Sequence, residues 1–151
     1  MSQIPTPPAD WREVAQRAVE RGQRIDRFIP GFLLDSRISL VGYWYGTAVG
    51  WVWGSIWSTG RIERRAGMWV FRGMPGWAFP RGGVCAGGCF LTGDASITDA
   101  LLRHEATHMR QWRRYGFLMP VLYRLAGRDA LRNRFEIEAG LADGNYVPRG
   151  A

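Results

Sequence analysis

The chain has 151 residues, the size of one domain able to close a single core. Eight Trp, seven Phe and five Tyr make it too apolar for a disordered chain, and two cysteines are too few for a disulfide scaffold. The formal charge of +7 would ordinarily suggest nucleic acid, but all 20 basic residues are Arg, spread from Arg12 to Arg149 among Asp and Glu, and no nucleic-acid motif is present, so no nucleic-acid partner is expected.

Residues 1 to 9 read as a flexible arm. They lack the basic and apolar regions of a signal sequence, which makes a cytoplasmic location the expectation. Asp10 is a good N-cap, and Trp11, Val14, Ala15, Ala18, Val19 and Ile25 recur near helical spacing, predicting an amphipathic helix that ends before Pro30.

Ile38 to Trp57 follows as twenty residues without a charge, with glycine at 42, 46, 50 and 54. On a helix these glycines line one face. In lipid that face lets two helices approach closely, and the same face could instead lie against the domain itself. Trp, Tyr and Gly dominate over Leu and Ile, and Trp and Tyr favour the bilayer interface over its centre. Two readings therefore stand side by side, membrane contact through residues 38 to 57 and a glycine-faced helix packed on the rest of the chain.

From Gly60 the pattern changes to short β-forming runs, Arg61 to Arg65, Met68 to Arg72 and Val84 to Thr92. They are punctuated by Ala66 and Gly67, by Met74, Pro75 and Gly76, and by Arg81, Gly82 and Gly83. These predict a small, mostly antiparallel sheet. Ser96 or Thr98 then caps a helix to about Tyr115, stopped by Gly116; further helical stretches are expected at Val121 to Ala126 and Asp129 to Ala142. The fold class is α+β: N-terminal helices and a Gly/Trp-rich segment over 1–58, then the sheet and the helical stretches after it over 59–151.

Both histidines lie in the first of those helices, in the stretch LLRHEATHMRQW. Residues 97, 101, 104, 105, 108 and 112 share one stripe, so His104, Glu105 and His108 face inward with Ile97, Leu101 and Trp112. Imidazoles one turn apart can aim at a common metal, and the intervening glutamate can accept a proton from water. The competing reading is a pair of structural histidines. A third protein ligand must be a carboxylate or a cysteine, since no further histidine exists.

Downstream, NRFEIEAGLADGNYV carries Glu136 and Glu138. With HExxH ahead of it, the chain resembles the minimal single-domain gluzincin metallopeptidases over Gly60 to Val147, in which a later glutamate, often within ExxxD, completes the zinc site. The resemblance implies Zn2+ held by His104, His108 and Glu136, with Glu105 as general base in the hydrolysis of a peptide or protein substrate. The oxyanion donor would be Tyr115, Tyr123, Tyr146 or an Arg. It further implies that an extended substrate pairs with an edge strand within Val84 to Thr92. The family's aspartate is replaced by Gly140, which removes the usual carboxylate that orients a histidine ligand and leaves Asp143 as a substitute. The helical wheel favours the alternate ligand Glu138, because Leu131, Phe135, Glu138 and Ala142 form one stripe.

Two other functions fit parts of the sequence. One is a non-catalytic membrane-associated or interaction protein with a structural metal site. The other is an Fe-S or redox protein using Cys85 and Cys89, which lacks the four thiolates a cluster needs; on a single strand both would point to one face as small core side chains.

Overall fold

A computed structural model of the chain describes residues 4, 6–78, 83–93 and 97–150. Residues 1–3 and 5 of the expected arm and the Arg81 and Gly82 punctuation lie outside that set, as does Ser96. The molecule is α+β, with five helices and a four-stranded mixed sheet among the described residues.

Helix α1, Trp11–Asp26, is followed by a short 3-10 turn, Gly31–Leu33, and by α2, Arg37–Trp57. Ser36 and Ser39 cap α2 reciprocally, each side chain accepting the other's backbone N–H at 3.1 and 2.9 Å, which satisfies two of the donors every helix start leaves open. Strands β1, Glu63–Arg65, and β2, Met68–Phe71, form an antiparallel hairpin; β3, Gly83–Ala86, and β4, Cys89–Thr92, form a second. Parallel pairing of β2 with β4 joins them in the order β1-β2-β4-β3. The run Val84 to Thr92 is thus two strands. Its turn at Gly87 and Gly88 is needed because Gly87 has φ +57°, a conformation a side chain would oppose.

The sheet lies between α2 and α3, Asp99–Tyr115. On one face Met68, Val70, Cys85 and Phe90 pack with Leu102, Ala106 and Met109 of α3. On the other, Phe71, Cys89 and Leu91 pack with Trp51 and Trp57 of α2. The glycine stripe of α2 is what permits this closeness. A Cβ at Gly42 would stand 2.3 Å from the backbone nitrogen of Phe117, at Gly46 2.8 Å from the Trp112 ring, at Gly50 2.8 Å from Cys89, and at Gly54 2.5 Å from Phe71. The glycine-faced helix therefore packs on the domain itself. Among the described residues no helix is long and apolar enough to cross a membrane.

Helix α4, Leu118–Ala126, begins three residues earlier than expected, with Pro120 in its first turn, where no N–H is required. The last helix is much shorter than expected. Instead of Asp129 to Ala142, α5 covers only Arg134–Ala139, because Asn133 caps it at one end and Gly140, at φ +96°, ends it at the other.

Helix α1 is locked onto α5. Arg134 donates to both carboxylate oxygens of Asp26 at 2.9 and 2.7 Å, and the Tyr115 hydroxyl donates to the same carboxylate at 2.6 Å. Gly22 leaves the room, since a Cβ there would lie 1.9 Å from Cδ of Arg134. Burial would raise the Asp26 carboxyl, but the bonds from Arg134 and Tyr115 outweigh it and hold it below its ordinary value. The stability this bond contributes is therefore complete above the ordinary aspartate range and lost as pH falls through the depressed folded value. Asp26→Asn should cost about 2–4 kcal/mol at neutral pH by leaving the Arg134 charge unneutralised. The gap between variant and wild type in denaturant unfolding should narrow on acidification; a gap that widened would show that Asp26 is not the group responsible.

Candidate metal centre

Thr98 caps α3, its hydroxyl oxygen accepting from the Leu101 N–H at 3.2 Å. The helix then buries His104, Glu105 and His108 on its inner face, as their spacing requires. The two ring Nε2 atoms stand 3.1 Å apart. From α5, Glu136 brings Oε2 to 3.1 Å from His104 Nε2 and Oε1 to 3.5 Å from His108 Nε2. These three residues form a buried group able to hold a metal.

The outward ring nitrogens determine what the inward ones can do. His104 Nδ1 lies 3.1 Å from the Gly140 carbonyl, which can only accept, so Nδ1 carries the proton. His108 Nδ1 lies 2.8 Å from Gln111 Oε1. The Gln111 amide is oriented by its other end, because Nε2 donates to the Phe135 carbonyl at 3.1 Å and to Glu138 at 3.2 Å. Oxygen must therefore face His108, and that ring too is protonated on Nδ1.

In that tautomer the neutral rings turn two Nε2 lone pairs toward the Glu136 carboxylate, an arrangement that calls for a cation, either a metal or a proton taken up by a ring. Against the burial that would lower it, Glu136 accordingly raises the pKa of His108. One added proton could satisfy only one of these contacts. Ligands at about 2.0–2.1 Å from a tetrahedral zinc stand roughly 3.3 Å from one another. The two Nε2 atoms, 3.1 Å apart, and Glu136 Oε2, 3.1 Å from His104 Nε2, lie close to that spacing, and one donor atom from each of the three residues is within 4.8 Å of the others. Glu136 Oε2 has no hydrogen-bond partner among the described residues, as suits an atom reserved for a cation. The donor set fits a divalent metal of the zinc type.

Burial works against the ionised Glu136, yet the imidazoles of His104 and His108 and the hydroxyl of Tyr123 beside it favour the carboxylate and hold it far below the ordinary range. Glu105 behaves oppositely. Desolvation pushes it up, reinforced by the Glu136 charge and only partly countered by the two histidines, and its Oε2 is likewise without a partner among the described residues.

No protein family, no curated protein and no solved structure matches the chain.

Glu138, favoured by the helical wheel, is not part of the cluster; it lies on the outer side of α5 and accepts from Gln111. The wheel counted Leu131 and Ala142 as helical, but both lie in turns beyond the ends of α5. Gly140 does not remove the acceptor for a histidine ligand, because its own carbonyl fills the role. Asp143 is engaged elsewhere, accepting from Arg103 at 3.1 Å.

Gln111 was not singled out from the sequence. Its signal was present: it lies three residues after His108 and seven after His104, on the same face. Asn133 was missed as well. It is 1 % exposed, accepts from the Phe135 N–H and donates to the carbonyls of Tyr123 and Gly127, and so fixes where Glu136 begins its turn.

Of the tyrosines, Tyr115 is committed to Asp26. Tyr123 donates to Glu136 Oε1, and the Tyr146 ring centre is 6.0 Å from that of His104. The expected substrate edge is narrower than the run Val84 to Thr92. Strand β4 is interior and wholly buried, which leaves β3 as the edge, and the Trp112 indole occupies its Cys85 carbonyl at 3.0 Å.

The cysteines do not share a face. Cys85 on β3 points toward α3 and Cys89 on β4 toward α2, both as free thiols. Burial pushes Cys89 up to about 12 and Cys85 well above its ordinary value, so neither favours the thiolate that a cluster or redox site requires.

Proposed function

We propose that the chain is a zinc-dependent hydrolase of gluzincin type, acting on peptide bonds, with His104, His108 and Glu136 as ligands and Glu105 as general base. The observation that carries this reading is the convergence of three buried donor groups, His104, His108 and Glu136, with the unpartnered carboxylate oxygen of Glu105 next to His104 in sequence. When bound there, the metal supplies Lewis acidity toward water and a carbonyl oxygen. Glu105, made more basic by burial, takes a proton from water and returns it to the leaving amine. Gln111 and the Gly140 carbonyl keep both rings in the tautomer that offers Nε2 inward. Tyr123 and Tyr146 are the tyrosines beside the cluster from which an oxyanion donor would come.

A second reading, a metal held only for structure, is favoured by burial. The side chains of His104, His108 and Glu136 are 3, 8 and 4 % exposed. A groove of about 760 Å3 outside α3, with Arg65, Arg103, Thr107 and Asp143 in its wall, includes none of them.

Elemental analysis of untagged wild type and His108→Ala, paired with hydrolysis of a mixed peptide library, tests both. We expect one zinc per chain in the wild type, none in the variant, and cleavage only by the wild type. Zinc without cleavage would assign the metal to structure. No zinc in either protein, even after reconstitution, would overturn both readings.

A further inference from the structure

We infer that the outer face of α2, continued by the exposed stripe of α4, is a docking surface for an anionic lipid bilayer, on which the protein lies without crossing it. The inference is independent of the metal centre. With its glycine face used inside the molecule, α2 turns its bulky side chains to solvent: Val41, Trp44, Tyr45, Val49, Val52 and Ile56 are 49 to 62 % exposed. The helix is about 30 Å long by its 21 residues, and an apolar surface of that extent exceeds the scattered exposure ordinary for a monomer. The face does not end with the helix. The Tyr45 and Phe117 rings lie 5.5 Å apart, and Val121 and Leu125, 54 and 74 % exposed, extend the line from Phe117 in steps of four.

The chemistry along the face is that of a membrane interface. Trp44 and Tyr45 stand in the N-terminal half of α2 and Trp53 near its C-terminus, where the exposed Trp77 ring lies 6.3 Å away; valines occupy the stretch between. Trp and Tyr favour the headgroup level, with aliphatic side chains reaching below it.

Charge decides between a bilayer and a second copy of the chain. No carboxylate occurs between Asp35 and Glu63, or between Glu105 and Asp129, whereas seven arginines do; Arg114 is paired with Asp35 and Arg110 lines the groove outside α3, and Arg37 and Arg124 are the two on α2 and α4. Arg37 shares a stripe with Val41 and Trp44, and Arg124 flanks Val121 and Leu125. A two-fold dimer through this face would set these arginines against α2 and α4 of the copy, neither of which carries a carboxylate. An anionic lipid surface neutralises them. The small-residue seam that lets helices approach is already filled by Phe117, Trp112, Cys89 and Phe71, so a partner helix would meet only bulky side chains. Since no described helix is long and apolar enough to span, the mode is interfacial.

The test is co-sedimentation of the full chain with vesicles of equal parts phosphatidylglycerol and phosphatidylcholine, and with phosphatidylcholine alone, at low and high salt. Sedimentation velocity without lipid is run alongside. We expect binding to the anionic vesicles, at least about tenfold weaker on the neutral ones and weakened by salt. The exposed-face variant Val41→Asp with Val52→Asp should lose it. Should that variant fail to fold, Arg37→Glu with Arg124→Glu, which alters only exposed charges, should lower anionic-vesicle binding at least about tenfold. Absence of binding to either vesicle, or binding indifferent to both variants, overturns the proposal. So does a lipid-free dimer that these variants dissociate, which would give the face to a second copy.

Discussion

Glu105→Gln is expected to retain the wild-type metal content while lowering peptide hydrolysis about a hundred- to ten-thousandfold, the usual contribution of a positioned general base. Glutamine keeps the shape of the side chain but cannot take up a proton. The position can bear the change because Glu105 is not one of the three converging ligands and its Oε2 bonds to nothing among the described residues. In the metal-free protein stability should move the other way from activity. There a carboxylate 7 % exposed and raised by desolvation is a burden on the folded state at neutral pH, and the neutral amide removes it. A metal-free thermal midpoint equal to or above that of the wild type, together with lost turnover of the metal-loaded protein, is therefore the signature of a base. Unchanged turnover would remove Glu105 from the mechanism, and loss of metal would mean that it holds the ligands in place.

Gly42→Ala should be among the most destabilising single changes in the chain, although alanine replaces glycine inside a helix. On an exposed helix the same substitution is favourable by about 1 kcal/mol. At Gly42 the new methyl would lie 2.3 Å from the Phe117 backbone nitrogen and 2.6 and 2.7 Å from the Gly116 carbonyl carbon and Cα. No rotamer change relieves a collision with backbone, so α2 must move away from the turn between α3 and α4. We expect a loss of about 3 kcal/mol or more, seen as a fall of about 6–12 °C in melting temperature. Gly31→Ala is the control. Nothing lies within 4 Å of that position, and its melting temperature should stay near that of the wild type. If Gly42→Ala melted with Gly31→Ala, the docking of α2 through its glycine face would be wrong.

Much of the architecture was legible because it depends on local periodicity. Helix α1 begins at the residue the apolar spacing indicated, α3 runs from the Thr98 cap to Tyr115 before Gly116, and the α+β class follows from the change of pattern at Gly60. The long C-terminal helix was not legible. Its apolar spacing continues beyond Ala139, but the side chain of Asn133 and the positive φ of Gly140 set the ends of α5, and a wheel drawn over the longer span turned the wrong glutamate inward.

The sequence by itself determined that His104 and His108 share a helix face with Glu105 beside them, since the helical repeat allows nothing else. It also determined that 38–57 would be an uncharged segment with one side nearly free of side chains. Only the tertiary structure decided the rest. Which glutamate joins the histidines depends on where a six-residue helix sits, and that is set by Asn133 reaching back to α4 and by Arg134 reaching to Asp26, 108 residues away. Which acceptors orient the rings depends on a carbonyl 36 residues beyond His104 and on an amide held by α5. The glycine face of α2 could have met lipid or protein with equal sense in one dimension. It lies against the sheet and the end of α3 because those surfaces fill it with backbone and ring atoms at van der Waals range, which leaves the tryptophans and valines of the other face outside.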